Sequence, residues 1–198
     1  SVGTGILVLF PNVDVSDMAE QRDMAPSVED DSQTVILQLD DSGDPVRRIP
    51  HWAELDGNED DPTEATLFLR PGEILEDGTR YVVAFRNLKD LDGNEIERSE
   101  AFQKLIDGET GDDLALEPRQ ARFDQIFAAL EADGFDKSSL TLAWDFVTHT
   151  SSSVHHRMLT VRDRGFEAAG ESGPEMTIDS VEEFTEEENE DWWLEIEG

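Results

Sequence analysis

A catalytic serine of the α/β-hydrolase type requires the pattern Gly-x-Ser-x-Gly, which places the serine on a tight turn between a strand and a helix. The nearest match is residues 170–174, Gly-Glu-Ser-Gly-Pro, where proline replaces the final glycine. The residues before this segment lack the continuous apolar sequence of a buried strand, so an ordinary turn is the better interpretation. We therefore predict that this chain contains no catalytic residue.

The four histidines, His51, His149, His155 and His156, are candidate metal ligands. His155 and His156 are adjacent, so in a helix their side chains point about a third of a turn apart. Helical metal sites instead space two histidines four residues apart, and this chain has no such pair. We expect surface or capping histidines and no metal ligand. The sequence also lacks a glycine-rich phosphate loop, so no cofactor is predicted.

Two acidic loops match the start of an EF-hand calcium loop. The matching residues are Asp56, Asn58 and Asp60 in one loop and Asp90, Asp92 and Asn94 in the other. Both loops lack the glycine at position six and the bidentate glutamate at position twelve. Because Asp and Asn also form turns by bonding to their own backbone, turns are the favoured interpretation. Calcium is kept as the alternative ligand.

The acidic tail, residues 182–198, contains a conspicuous apolar cluster. Its members are Trp192, Trp193, Leu194 and Ile196. An indole ring carries a large apolar area that prefers burial, so this cluster is predicted to dock onto a partner domain. The alternative is an edge strand folded back on the chain's own sheet. Alternation would then place Trp193 on one face and Trp192, Leu194 and Ile196 on the other.

The elements that must position these residues are mostly short strands. Alternating or continuous apolar runs predict strands at residues 6–10, 34–39, 66–70, 81–86 and 140–146. Asp-Gly turn signals and other loop residues separate the first four. Strands of this length and spacing favour an antiparallel sandwich.

Helical patterns appear after residue 94. One short helix is predicted at residues 99–106, and a second should begin at Pro118 and stop at Gly134. A third follows the serines at 151–153, which can cap it, and carries Val154, Met158 and Val161 on one face. A final strand is predicted at residues 176–178.

The net charge of −33 excludes several classes of protein. It arises from 48 acidic against 15 basic residues. Such a surface repels nucleic-acid phosphates and anionic membranes. The longest apolar run is only strand-sized, so no membrane span is predicted.

The composition also suggests a habitat. Abundant Asp and Glu with only three lysines, Lys89, Lys104 and Lys137, is typical of a protein working in high salt, which screens self-repulsion. Cysteine is absent, which is compatible with export and excludes disulfides and thiolate sites.

One motif resembles a known kind of domain. A strand bearing Tyr81 at residues 78–84 leads into an Asp-x-x-Gly-Asn turn at residues 90–94. This combination resembles the bacterial Ig-like domains of exported and surface-layer proteins. In order along the chain, residues 5–11, 51–56, 69–71, 142–148 and 181–198 also resemble the N-terminal region of large exported α/β-hydrolase-type esterases and lipase-like proteins.

That resemblance implies a mainly β (α+β) fold. Residues 1–97 would form an Ig-like antiparallel β-sandwich, and residues 98–181 a helical extension packed on it, with a strand returning to the sheet. Residues 182–198 would lead to a downstream hydrolase domain that holds the serine nucleophile, so no catalytic residue carries over to this chain. The chain departs from the pattern of those proteins in two respects. It has Trp192 and Trp193 where polar or basic residues are expected, and its net charge is extreme.

The expected function is therefore that of a non-catalytic accessory or scaffold module of a secreted or cell-surface serine carboxylic-ester hydrolase. The partner would be the hydrolase domain of the same polypeptide. The alternative is a free-standing adhesion module of Ig-like type, with calcium as a ligand. An autonomous hydrolase using dispersed Ser, His and Asp residues is the third and weakest reading.

Overall fold

The computed structural model describes residue 3 and residues 5–111, 113–171, 173, 177–185, 187 and 191–198. The chain divides into two compact units, Ser1–Thr150 and Ser151–Gly198. The three-part division at residues 97 and 181 stays a prediction.

The first unit consists of two antiparallel sheets and two α-helices. One sheet has three strands in the order β1-β5-β4, and the other has four in the order β3-β2-β6-β7. The elements are β1 Ile6–Leu9, β2 Thr34–Leu39, β3 Pro45–Arg48, β4 His51–Leu55, β5 Thr66–Pro71, β6 Arg80–Arg86, α1 Glu100–Asp107, α2 Gln120–Ala132 and β7 Leu140–Val147. The predicted mainly β, α+β class is confirmed, since most elements are strands in antiparallel sheets.

Strands β2 and β6 are buried on both faces, which explains their nearly continuous apolar sequences. On one face, Ile36 and Val83 share a core with Leu67 and Leu69 of the three-stranded sheet. The opposite face forms a second core with α1 and α2. Its central members are Val35, Leu37, Val82, Ala84, Phe102, Ile126 and Leu130. The four-stranded sheet is therefore the middle layer of this unit.

Local signals set the ends of both helices. The Ser99 side chain accepts a hydrogen bond from the backbone N–H of Phe102 at 3.2 Å, and Gly108 ends α1 with a φ of 73°. Pro118 lies in a 3₁₀ turn, Glu117–Arg119, that leads directly into α2. Gly134 follows α2 with a φ of 91°, so both predicted helices are confirmed to within a few residues.

The five predicted strands of the first unit are also confirmed, and β7 pairs with β6 along its length. The short strands β3 and β4 were not predicted. Residues 45–48 are Pro-Val-Arg-Arg, which has no apolar run or alternation, and their pairing with β2 makes them a strand.

The described part of the second unit contains one long helix, α3 Ser151–Ala169, and a hairpin of β8 Ser180–Glu183 with β9 Leu194–Glu197. The three serines lie inside the first turn of α3 rather than before it. A final strand was predicted at residues 176–178, of which Met176 lies outside the described residues. The prediction is wrong for Thr177 and Ile178, which belong to no strand, and β8 begins only at Ser180. Among the described residues, no helix is long and apolar enough to cross a membrane.

Candidate functional site

The predicted docking cluster lies in and beside β9. Leu194 and Ile196 belong to the strand, opposite Glu183 and Val181 of β8. Trp193 extends the pairing, because its carbonyl oxygen accepts a hydrogen bond from the backbone N–H of Phe184 at 2.9 Å. The tail thus folds back as a strand, as the alternative expected, but it pairs with β8 in a separate two-stranded sheet.

The apolar side chains of this hairpin remain largely exposed. Trp192 and Trp193 are 56% and 71% exposed, and the cross-strand pair Val181 and Ile196 is about half exposed. Trp193 alternates with Leu194, so its side chain lies on the opposite side of the hairpin. Exposed indoles such as these two are of the kind that marks contact sites.

The other side of the hairpin is strongly acidic. Glu182 stands directly opposite Glu195, and like charges in that position destabilise a strand pair. Ser180 and Glu197 are the terminal pair, with the Ser180 hydroxyl donating to the Glu197 carboxylate at 3.1 Å. Interactions between these two strands alone therefore give the hairpin little stability.

Helix α3 also carries an exposed apolar face, which the spacing of Val154, Met158 and Val161 had indicated. All of its large apolar side chains are exposed, namely Val154, Met158, Leu159, Val161 and Phe166. No described residue of the second unit, in the helix or in the hairpin, is buried. The apolar side chains of this unit thus lack the burial that normally stabilises a folded unit.

The two calcium-like loops use their carboxylates internally. Asp90 Oδ1 accepts hydrogen bonds from the backbone N–H groups of Asp92 and Asn94 at 3.0 and 2.8 Å, and its Oδ2 accepts one from the Asn94 amide. The hydrogen bonds from Asn94 lower the pKa of Asp90. Asp56 likewise binds the backbone N–H of Asn58 at 3.0 Å. Turn formation accounts for both motifs, and the described residues contain no group of three His, Cys, Asp or Glu side chains able to hold a metal.

His51 corrects one expectation from the sequence, because it is fully buried rather than on the surface. It occupies a core-facing position of β4. Its Nδ1 bonds to the Ile49 carbonyl oxygen and its Nε2 to the Thr34 hydroxyl, each at 2.8 Å. Both ring nitrogens are therefore satisfied by structural partners. The alternation of His51 with Ala53 and Leu55 was the signal that could have indicated burial.

Two further sequence features lie on α3 or follow it in the chain. His155 and His156 are exposed on α3, as expected. Ser172 and Pro174 of the hydrolase-like pentapeptide lie outside the described residues. Its first residue, Gly170, ends α3 with a φ of 63°, so the preceding element is a helix and not the strand that a nucleophile elbow needs.

No known protein family, curated protein or solved structure matches this chain.

Proposed function

We propose that this chain is a non-catalytic accessory module whose second unit docks onto a partner domain. The observation that carries this proposal is the exposure of every large apolar side chain on α3 and of Trp192 and Trp193 on the hairpin. A unit of this kind gains its apolar burial by binding. The docking surface comprises Trp192, Trp193, Leu194 and Ile196.

The proposed partner is an α/β-hydrolase-type domain of the same polypeptide, of the serine carboxylic-ester hydrolase class. This part rests on the resemblance of five segments in order along the chain. A partner domain that supplies the catalytic serine is compatible with the helix, rather than a strand, that leads into the pentapeptide at residues 170–174. A secreted or cell-surface location and a saline habitat belong to the same proposal, supported by the lack of cysteine and the charge of −33.

For the first unit we propose a variant of the Ig-like sandwich. Its support is the set of seven strands in two antiparallel sheets that share one core. In an immunoglobulin constant-type domain, the second strand lies in the sheet of the first, fifth and fourth strands. Here β2 lies between β3 and β6. The proposed variant therefore has its second strand in the opposite sheet.

The test of the proposed function begins with the purified chain and short-chain p-nitrophenyl esters. We expect hydrolysis no faster than in buffer. Turnover that one Ser→Ala substitution abolishes would overturn the non-catalytic assignment. The reading frame after Gly198 gives the second test, because a Gly-x-Ser-x-Gly motif followed by Asp and His supports a hydrolase partner. Further Ig-like repeats there would instead support the adhesion module.

A further inference from the structure

The outward face of the three-stranded sheet combines apolar side chains with one ion pair. Alternation along the strands places Leu7 and Leu9 of β1 on this face, and they are 57% and 51% exposed. Phe68 of β5 lies beside Leu7, and Trp52 of β4 lies opposite Arg70. Helices α1 and α2 pack on the other sheet, and Trp52 and Phe68 are both partly exposed on this face.

A series of connected contacts fixes the orientation of these side chains. The Arg70 Nε donates to Glu54 Oε1, and the Trp52 indole N–H approaches Glu54 Oε2 at 3.4 Å. The Arg70 guanidinium also lies over the Phe68 ring, 4.8 Å from its centroid. The Arg70 and Glu54 side chains still expose 40% and 44% of their surfaces, so both present polar atoms to a ligand.

A shallow cavity of about 370 Å³ lies at this place. Its walls include Gly5, Gln21, Trp52, Glu54 and Arg70. Small-molecule sites in proteins begin at about 300 Å³, so a ligand of one or a few rings would fit. The walls supply an indole, a carboxylate, a guanidinium and an amide. Gly5 lies beside the Arg70 side chain, since a Cβ at that position would be 3.7 Å from Nη1, an ordinary contact distance.

We propose that this cavity is a binding site for a neutral saccharide. The apolar face of a pyranose ring packs its C–H bonds, which are partially positive, on the negative face of an indole. Its hydroxyl groups donate to a carboxylate and accept from a guanidinium, as Glu54 and Arg70 require. The paired Arg70 and Glu54 give this wall no net charge, which suits a neutral ligand, and the net charge of −33 disfavours anionic ones.

This site is independent of the proposed docking function. Trp52 belongs to the first unit, whereas Trp192 and Trp193 belong to the second. The test can therefore fail without affecting the accessory-module proposal, and the docking test can fail without affecting this one.

The experiment follows the indole N–H signals of the ¹⁵N-labelled full chain by nuclear magnetic resonance. The chain has four tryptophans, so single Trp→Phe variants assign each signal. The probes are neutral hexasaccharides of glucose, mannose, xylose and N-acetylglucosamine, added to millimolar concentration. We expect at least one probe to shift the Trp52 signal in a saturable way and to leave those of Trp192 and Trp193 in place.

Matched variants then test the site directly. We expect Trp52→Ala to weaken binding of the active probe by roughly tenfold or more, because it removes the stacking surface. Arg70→Lys should also weaken it, because lysine keeps the charge but loses the planar pair of donors. Trp193→Ala, which removes an exposed indole of the second unit, should leave the affinity unchanged. Thermal unfolding of each variant verifies that it is folded.

Two results would overturn the proposal. One is that no probe shifts the Trp52 signal of the wild-type chain, a measurement that needs no variant to fold. The other is that Trp193→Ala weakens binding as much as Trp52→Ala does. That result would show that the probe adsorbs to exposed apolar side chains in general and not to a specific site.

Discussion

At the scale of single residues, His51 shows how burial changes the acid–base behaviour of a side chain. It is fully buried, and removal from water lowers its pKa from 6.5 to about 4. The hydrogen bond with the Ile49 carbonyl opposes this shift, but the cost of burying a charge is larger. His51 is therefore neutral in the folded protein over the physiological range.

We predict a loss of stability on acidification that depends on His51. Below pH 6.5 the unfolded chain binds a proton at this position that the folded chain excludes until about pH 4. The free energy of unfolding should therefore fall as the pH falls through this window, by about 3 kcal/mol in total. Urea unfolding at several pH values measures this loss.

The control separates His51 from the many carboxylates. His51→Gln should lose this part of the pH dependence, whereas His155→Gln, at an exposed position, should keep it. An unchanged pH profile in His51→Gln would contradict the assignment.

Asp145 is the second residue whose role depends on its surroundings. Its side chain is only 4% exposed and accepts hydrogen bonds from the Nε atoms of Arg80 and Arg122, each at 2.6 Å. Arg80 lies on β6 and Arg122 on α2, so one carboxylate connects β7 to its neighbouring strand and to the helix.

We predict that Asp145→Asn lowers the free energy of unfolding by about 2 kcal/mol, because it weakens two charge-assisted hydrogen bonds. Glu73→Gln is the matched control, since the Arg47–Glu73 pair is about 40% exposed on both sides. That change should cost less than about 1 kcal/mol. Equal effects of the two substitutions in chemical denaturation would show that Asp145 is an ordinary surface charge.

At the scale of elements, the sequence predicts those that carry their own signal. β2 and β6 are long apolar runs, and α1 and α2 each have start and stop residues in the sequence. β3 and β4 were not predicted because their residues are polar or mixed, and pairing with a neighbour decides their conformation. The burial of His51 was missed for the same reason.

The exposed face of α3 gives a prediction at this scale. Met158→Ser should change the unfolding free energy of the isolated chain by less than about 0.5 kcal/mol, because Met158 is 72% exposed. Leu130→Ala on α2, which is 0% exposed, should cost about 2–5 kcal/mol. Comparable losses from both substitutions in thermal and chemical unfolding would show that α3 is buried in solution.

At the scale of the whole molecule, charge repulsion is the dominant long-range effect. The chain has 48 acidic and 15 basic residues, and pairs such as Glu182 and Glu195 place like charges face to face. Unscreened repulsion of this kind works against the compact state.

We therefore predict that the thermal midpoint rises from dilute buffer to molar KCl, where the Debye length falls to about 3 Å. Differential scanning calorimetry measures it. A flat or falling midpoint would contradict the halophilic interpretation. If millimolar calcium alone raised the thermal midpoint as much as molar KCl does, specific ion binding would be indicated instead.

The sequence predicts the fold class and the apolar tail cluster, but not the division after Thr150. That division depends on which apolar faces find partners, and the apolar spacing in α3 is the same whether its face is buried or exposed. For the same reason the sequence alone left the docking and fold-back alternatives for Trp192 open.

The thermal midpoint of the Trp192→Ala/Trp193→Ala variant tests the docking proposal most directly. It is measured in this chain alone and in a longer polypeptide that also contains the proposed partner domain. Docking predicts a shift of no more than about 1–2 °C in the chain alone, because both rings are exposed there. In the longer protein it predicts a loss of about 2 kcal/mol or more in docking free energy, seen as a lower midpoint or lower esterase activity. Strong destabilisation of the chain alone would contradict the account, because it would place both rings in the module's own core.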